Sequence, residues 1–186
     1  MASYPTYDNT LFVEGISQRK YDQLQKDVRG PLYDKCYMQK YMPGSIMKPF
    51  MALTGLREEV IDPGTEFYCG GGILVPLDED ESKGEDYGCW LRDGGHHILN
   101  LEGALIQSCD VYFYNVGVSA GQRRENGKLN HYYDYNTLTS KSGDSHDFGG
   151  LGINKIHSNL TKRFWFGRIT GIDLPVETAG LIGSEE

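Results

Sequence analysis

The sequence predicts a mixed α/β (α+β) domain in which a helical lobe dominates. One helix is predicted to begin at Ser45, because a run of apolar residues follows it. Two further apolar helical stretches flank a polar turn at residues 108–110. With 186 residues the chain fits one domain with a buried core. Its 24 glycines indicate many turns between these elements.

The first third of the chain contains one predicted strand and two predicted helices. Residues 1–17 alternate loosely between apolar and polar side chains, which predicts a strand that enters a turn at residues 14–15. Residues 21–27 predict a short helix. The main helix is predicted over residues 45–56, and the Asp-Pro-Gly sequence at residues 62–64 then predicts a turn.

The rest of the chain alternates polar segments with predicted helices. Residues 67–95 are predicted to be rich in loops, because three consecutive glycines and an acidic run disfavour a core strand. Asn100 is predicted to cap a helix, and residues 111–118 and 151–166 predict two more. Residues 122–149 are polar, rich in tyrosine and glycine, and aperiodic, which predicts an inserted surface loop.

Charge and composition exclude two broad functional classes. The formal net charge of -8 is opposite to that of a general nucleic-acid-binding protein, so nucleic acid is not an expected partner. No apolar stretch approaches the length needed to cross a bilayer, and no signal peptide is recognised. The chain is therefore expected to be soluble with no membrane segment. The 4 cysteines are too few and too scattered for a disulfide scaffold.

A Ser-x-x-Lys sequence at Ser45 and Lys48 is the first candidate for catalysis. A Pro-Gly turn precedes the serine, and the lysine three residues later lies on the same helix face, where its amine can reach the serine hydroxyl. A serine nucleophile needs an adjacent base, and apolar surroundings allow a lysine to act as one. The same spacing at Ser17 and Lys20 lies among charged residues, has no apolar run after it, and is interpreted as a solvated face.

Ser108-Cys109-Asp110 places a hydroxyl and a carboxylate on the turn between two apolar helical stretches. Such a turn is either a polar break between helices or a second catalytic element. In the catalytic interpretation, the polar atoms of Ser45, Lys48 and Ser108 converge within about hydrogen-bond reach, somewhat looser without ligand.

Together these motifs resemble the signatures of active-site-serine penicillin-recognising enzymes, which are S-x-x-K, S-x-N or S-x-D, and K-[ST]-G. Outside residues 122–149, nearly the whole chain resembles a class B penicillin-binding protein, and best the elongation-type group (penicillin-binding protein 2). The resemblance implies a transpeptidase fold, present in part, with a dominant helical lobe and remnants of the central sheet. Its motifs are Tyr7-Asp8, Leu11-Phe12, Gly15-Ile16-Ser17, Pro43-Gly44-Ser45, Ser108 to Tyr114, and Thr170 to Pro175.

The third motif of that family is interpreted as missing. Lys141-Ser142-Gly143 matches its letters but lies inside the predicted insertion, ahead of Gly171-Ile172-Asp173-Leu174-Pro175. In the family the third motif comes well after that element, so the match is interpreted as chance. Residues 1–186 are accordingly expected to be a partial transpeptidase domain, without the membrane anchor, the N-terminal pedestal or the C-terminal K-[ST]-G portion. Such a piece is expected to be inactive by itself.

The resemblance implies a role for each matching residue. Ser45 resembles the nucleophile that attacks the D-Ala-D-Ala carbonyl of a peptidoglycan stem peptide, and its backbone N–H would be half of an oxyanion hole. Lys48 resembles the general base that takes the serine proton. Ser108 resembles the hydroxyl that relays a proton toward the leaving D-alanine, and Asp110 occupies the place usually held by Asn or Asp.

Three cysteines and a histidine are a candidate metal site. Cys69, Cys89, His96 and Cys109 supply a complete tetrahedral set for structural zinc, although no Cys-x-x-Cys pair strengthens the pattern. A disulfide and ordinary buried thiols are the alternatives. Some elongation-type family members hold zinc near the active site with a similar arrangement and a Gly-His dipeptide. That resemblance implies zinc here, with His96 rather than His97 as the ligand.

The expected function is that of a serine-type peptidoglycan D,D-transpeptidase of cell elongation and cell shape, a target of β-lactam antibiotics. Its implied partners are stem peptides, β-lactams and, through the missing N-terminal region, membrane proteins of the elongation complex. The implied location of the full protein is the periplasmic face of the bacterial inner membrane. Two alternatives stay open: a β-lactamase or β-lactam sensor of the same fold, and a catalytically incomplete, zinc-stabilised binding module.

Overall fold

The computed structural model describes residues 2–77, 80–117 and 150–184. These residues form two compact units: Met1–Met42 with Phe166–Leu181, and Pro43–Trp165 with Ile182–Glu186. The predicted insertion at residues 122–149, with its Lys-Ser-Gly sequence, lies outside the described residues. In the described part of the chain, no helix is both long enough and apolar enough to cross a membrane.

The first unit begins with two helices, α1 (Thr10–Val13) and α2 (Gln18–Lys26). The strand predicted for residues 1–17 is therefore wrong. The Asp8 carboxylate accepts hydrogen bonds from the Thr10 backbone N–H at 2.9 Å and hydroxyl at 2.6 Å, and such local bonds favour a turn over an extended strand. The short helix predicted over residues 21–27 is confirmed as α2, and the Ser17 side chain caps it by accepting a hydrogen bond from the Lys20 backbone N–H. The serine of this Ser-x-x-Lys sequence is thus the N-cap of a helix.

The C-terminal part of this unit is a loop that is closed by hydrogen bonds to the side-chain carboxylate of Glu177. Glu177 accepts hydrogen bonds from the backbone N–H groups of Thr170 at 2.8 Å and Gly171 at 3.1 Å. The hydrogen bonds from Thr170 are the main reason that the pKa of Glu177 lies below its ordinary value. The Thr178 N–H donates to the Tyr37 carbonyl at 2.8 Å, which joins the loop to the N-terminal segment.

In the described residues of the second unit, four helices and a 3₁₀ turn (Gly44–Met47) build the helical part. The helix predicted from Ser45 is confirmed, but its first turn is the 3₁₀ segment. The three helices predicted farther along the chain are confirmed too, and Asn100 caps the first of them by accepting from the Gly103 N–H at 2.9 Å. The main helix packs against the other three. The four are α3 (Lys48–Arg57), α4 (Leu101–Ile106), α5 (Asp110–Gly117) and α6 (Gly152–Lys162).

The segment predicted to be rich in loops contains three strands, β1 (Phe67–Cys69), β2 (Gly72–Leu77) and β3 (Asp80–Gly88), so that prediction is wrong. β1 pairs antiparallel with β4 (His97–Leu99), and β2 pairs antiparallel with β3 as a hairpin. Pairing of two strands satisfies the hydrogen bonds of their backbone N–H and C=O groups, even where the side chains are polar or absent. Polar and glycine-rich residues can therefore still form strands.

The core of the second unit surrounds α5. Tyr112 and Val116 of this helix are almost fully buried, and the Tyr112 hydroxyl donates to the Thr65 carbonyl at 3.0 Å. The buried aromatic ring of Phe67, from β1, packs edge-on against Tyr112 at a centroid distance of 5.0 Å. The residue before α5, Cys109, is completely buried. The start of α5 is therefore fixed between the helices and the β1–β4 pair.

Candidate active site and metal centre

Lys48 is the centre of the polar cluster at the start of α3. Only 8% of this residue is exposed, and its Nζ lies 2.6 Å from the Ser108 carbonyl oxygen and 3.0 Å from the Ser108 Oγ. Its third partner is Asp110 Oδ1, at 2.6 Å. An ammonium group has three N–H donors, and three acceptors surround this one. Lys48 therefore ties α3 to the turn that precedes α5.

Ser45 lies in the 3₁₀ turn just before α3 and is exposed. The Lys48 backbone N–H donates to the Ser45 carbonyl. In the described part of the chain no side-chain hydrogen bond joins the two residues, but both line one cavity of about 640 Å³ together with Asp110. The structure thus brings Lys48, Ser108 and Asp110 into direct contact and places Ser45 at the shared cavity. The expected contact between Lys48 and Ser108 is present.

The rest of the cavity wall is apolar. A concave apolar site with a few converging polar groups is the usual form of a small-molecule site. Tyr114 follows Asp110 by four residues and so lies on the same face of α5, a signal that sequence reasoning missed. Burial, followed by the charge of Asp110, raises the pKa of Tyr114. The apolar lining comprises Met47, Met51, Ile73, Tyr87, Phe113, Tyr114, Ile153 and Ile156.

The four predicted metal ligands form a second cluster behind the turn. Cys69 ends β1, Cys89 follows β3, His96 precedes β4 and Cys109 precedes α5. All four are buried, and their ligand atoms lie within 4.8 Å of one another. The sulfur atoms of Cys69 and Cys89 are each 3.5 Å from His96 Nδ1. His97, in contrast, is exposed on β4, where its ring lies near Tyr68.

The donor set fits a structural zinc ion. Three sulfurs and one imidazole nitrogen complete a tetrahedral shell, and all four cysteines of the chain are free thiols. Burial lowers the pKa of His96, which favours the neutral imidazole that binds metals. Burial also raises the pKa of Cys109, and the nearby Cys69 and Cys89 add to this shift. A zinc ion that binds such buried, closely spaced thiols would displace their protons and neutralise the thiolate charges.

Comparison with known proteins identifies the family. All of residues 1–186 match the model of the penicillin binding protein transpeptidase domain. Peptidoglycan D,D-transpeptidase MrdA of Haemophilus influenzae is 33% identical over 186 residues, 100% of this chain and 23% of that protein. The chain thus spans about a quarter of the length of such relatives.

Two solved structures have the same fold. Pseudomonas aeruginosa PBP2 in complex with WCK 5153 matches with a TM-score of 0.69 and 31% identity, over 99% of this chain and 32% of that one. Helicobacter pylori PBP2 in its complex with MreC matches with a TM-score of 0.67 and 27% identity, over 97% of this chain and 26% of that one. The predicted α+β transpeptidase fold is confirmed, and the chain belongs to the penicillin-binding protein transpeptidase family, in which MrdA (PBP2) proteins are among its relatives.

Proposed function

We propose that this chain is the nucleophile-bearing part of a serine-type peptidoglycan D,D-transpeptidase that acts in cell elongation. The observation that carries the proposal is the bonding of Lys48 to Ser108 and Asp110 at the cavity that Ser45 lines. The MrdA relatives named as peptidoglycan D,D-transpeptidases support the same reaction.

In the proposed reaction, Ser45 Oγ attacks the carbonyl carbon between the two terminal D-alanines of a stem peptide. An ester bond forms to Ser45, the peptide bond breaks, and D-alanine leaves. Lys48, entering this step as the neutral amine, takes the serine proton and passes a proton on to Ser108 Oγ, 3.0 Å from its Nζ, while the Ser108 hydroxyl gives its own proton to the leaving nitrogen. The amine of a second stem peptide then attacks the ester carbon; the new amide bond forms the cross-link, the ester bond to Ser45 breaks, and a proton from the amine restores the Ser45 hydroxyl.

Two further residues support these steps. Asp110 keeps the lysine amine beside the Ser108 hydroxyl through its contact of 2.6 Å. The Ser45 backbone N–H supplies one donor of an oxyanion hole, where charge develops on the carbonyl oxygen. A β-lactam reacts through the same attack, but the ester it forms blocks Ser45. The apolar cavity beside Ser45 gives the side chain of either acyl donor a surface away from water.

We also propose that Cys69, Cys89, His96 and Cys109 bind one structural zinc ion. A closed shell of four protein ligands has no place for water, so the ion stabilises the fold and takes no part in the reaction. Cys109 lies between Ser108 and Asp110, and its bond to the metal would fix the turn that carries both groups. The support is the donor set and its complete burial.

The proposed setting of the whole protein is the periplasmic face of the inner membrane. Helicobacter pylori PBP2 has been solved in a complex with MreC. By analogy we propose that the natural-length protein that carries this chain joins membrane proteins of an elongation complex, through regions outside these residues.

Covalent labelling with a fluorescent penicillin tests the reaction. In the natural-length protein we expect one label per molecule, located on Ser45 by peptide mass spectrometry, and none in Ser45→Ala at unchanged melting temperature. The 186-residue chain alone should be labelled slowly or not at all, because its Lys-Ser-Gly sequence at residues 141–143 is interpreted as a chance match to the third motif. Label on another residue of the natural-length protein would contradict the assignment. Rapid release of the label would favour a β-lactamase, and a folded, zinc-loaded protein that is never labelled would favour a binding module.

A further inference from the structure

Trp90 contacts the turn of residues 107–110 at two points, and neither the sequence motifs nor the proposed reaction uses it. Its indole Nε1–H donates to the Gln107 carbonyl at 3.0 Å, and its backbone N–H donates to Asp110 Oδ2 at 3.1 Å. We infer that Trp90 is a positioning residue that fixes the Asp110 carboxylate, and through it Lys48, for the acylation of Ser45. This inference rests on the proposed function.

The turn that Trp90 contacts has a backbone conformation that needs support. Ser108 has a φ of 50°, in the left-handed region that residues other than glycine rarely adopt. Such conformations persist where the surrounding structure holds them, and they are common at active sites. Lys48 binds the Ser108 carbonyl, and the indole of Trp90 binds the carbonyl of Gln107, the residue before Ser108. The two contacts bracket the strained residue.

The orientation of Asp110 depends on both of its oxygens. Oδ1 accepts from Lys48 Nζ and Oδ2 accepts from the Trp90 backbone N–H. A carboxylate that is held at both oxygens cannot rotate freely about its terminal torsion. The backbone of Trp90 therefore sets the direction in which Oδ1 meets the lysine amine. The indole bond to Gln107 keeps that backbone against the turn.

The indole that makes the hydrogen bond to Gln107 is exposed to solvent. Trp90 is 64% exposed, so its ring is not required to fill the core. Its neighbour Cys89 is part of the metal cluster, and the Cys89 sulfur accepts from the Asp110 backbone N–H at 3.4 Å. The ring also meets His96 edge-on at 5.2 Å. Removing the indole N–H alone should thus spare the core and the metal ligands, and affect the geometry of Asp110.

The test replaces Trp90 in the natural-length protein by benzothienylalanine, which keeps the ring shape but has sulfur in place of the indole N–H, and in parallel by Phe. Loss of one hydrogen bond should lower the rate constant of penicillin acylation by roughly fivefold to tenfold. The dissociation constant of the initial penicillin complex and the zinc content should stay within about twofold of wild type. Trp165, which is 67% exposed and outside the cavity lining, is the matched control. Its replacement should leave acylation unchanged.

Two results would overturn the inference. The first is an unchanged acylation rate with benzothienylalanine at position 90. The second is a parallel loss of zinc, folding and acylation, which would make Trp90 a structural support. Failure of the wild-type protein to acylate would instead contradict the proposed function. The inference is then tested by NMR: the Trp90 indole proton, assigned by its loss in Trp90→Phe, should exchange with solvent far more slowly than a free indole.

Discussion

Replacing Lys48 by methionine tests whether the polar cluster at the start of α3 holds the fold together. Methionine keeps the apolar stem and removes the ammonium, so Asp110 and the Ser108 carbonyl each lose a partner at 2.6 Å. Removing one member of a buried ion pair costs about 3 to 5 kcal/mol. Asp110 keeps its bond from Trp90 and some exposure to solvent, so we expect the low end, about 3 kcal/mol.

The expected loss is large enough for a thermal melt. In a domain of this size 1 kcal/mol shifts the melting temperature by about 2 to 4 °C, so Lys48→Met should lower it by roughly 6 to 12 °C. Lys155, exposed on α6, is the matched control, and Lys155→Met should change stability by less than about 0.5 kcal/mol. The melts are followed by circular dichroism with zinc held constant.

A second substitution separates the ion pair from lost packing. Asp110→Asn in the Lys48→Met background removes the charge that has lost its partner, so part of the stability should return. A melting temperature of Lys48→Met within about 2 °C of wild type would refute the reasoning, because the cluster would then contribute nothing to the fold. Failure of the double variant to recover would show that packing, not charge, causes the loss.

The remaining predictions concern the metal cluster and the C-terminal loop. Cys89→Ser should lower both zinc content by elemental analysis and melting temperature, whereas His97→Ala should be nearly silent; intact disulfides without metal would contradict the zinc site. Gly95→Ala should lower zinc affinity, because the added Cβ would lie 2.0 Å from the backbone carbonyl of Cys69, a proposed ligand. Gly94→Ala is the control, since Gly94 also has a positive φ but an added Cβ would meet nothing within 4 Å, and its zinc affinity should not change. Equal effects of the two substitutions would rule out the clash as the cause. The lowered pKa of Glu177 means that its hydrogen bonds stabilise the fold above its ordinary pKa of 4.5 and are lost as pH falls below it. Glu177→Gln should therefore flatten the acid side of the stability–pH curve, and an unchanged curve would contradict this.

Local signals in the sequence account for the helices and their ends. Asn100 caps α4 as predicted, because capping depends on a side chain and a backbone N–H three residues away. The strands were missed, because their pairing depends on partners far along the chain, such as Cys69 opposite His97. The short helix α1 was missed because two hydrogen bonds from Thr10 to Asp8 outweigh a weak alternating pattern.

The candidate site likewise contains residues that the sequence predicted and residues that only the structure shows. Residue chemistry and family resemblance predicted which groups belong to it. The structure brings Lys48, Ser108 and Asp110 into contact and gathers the four proposed metal ligands. Trp90 could not be predicted, because its two contacts with the turn cross 17 and 20 residues of sequence and follow no spacing rule. Tyr87 was missed together with the strand that carries it.

The position of Lys48 limits how a protein of this kind can evolve. The side chain proposed to activate the nucleophile also joins two segments that lie 60 residues apart in the sequence. A substitution here that slowed reaction with an inhibitor would remove the same bonds that stabilise the fold. In the proposed transpeptidase, selection for drug resistance is therefore expected to spare this lysine and to accumulate changes in the apolar cavity wall, where volume can vary at a smaller cost to stability.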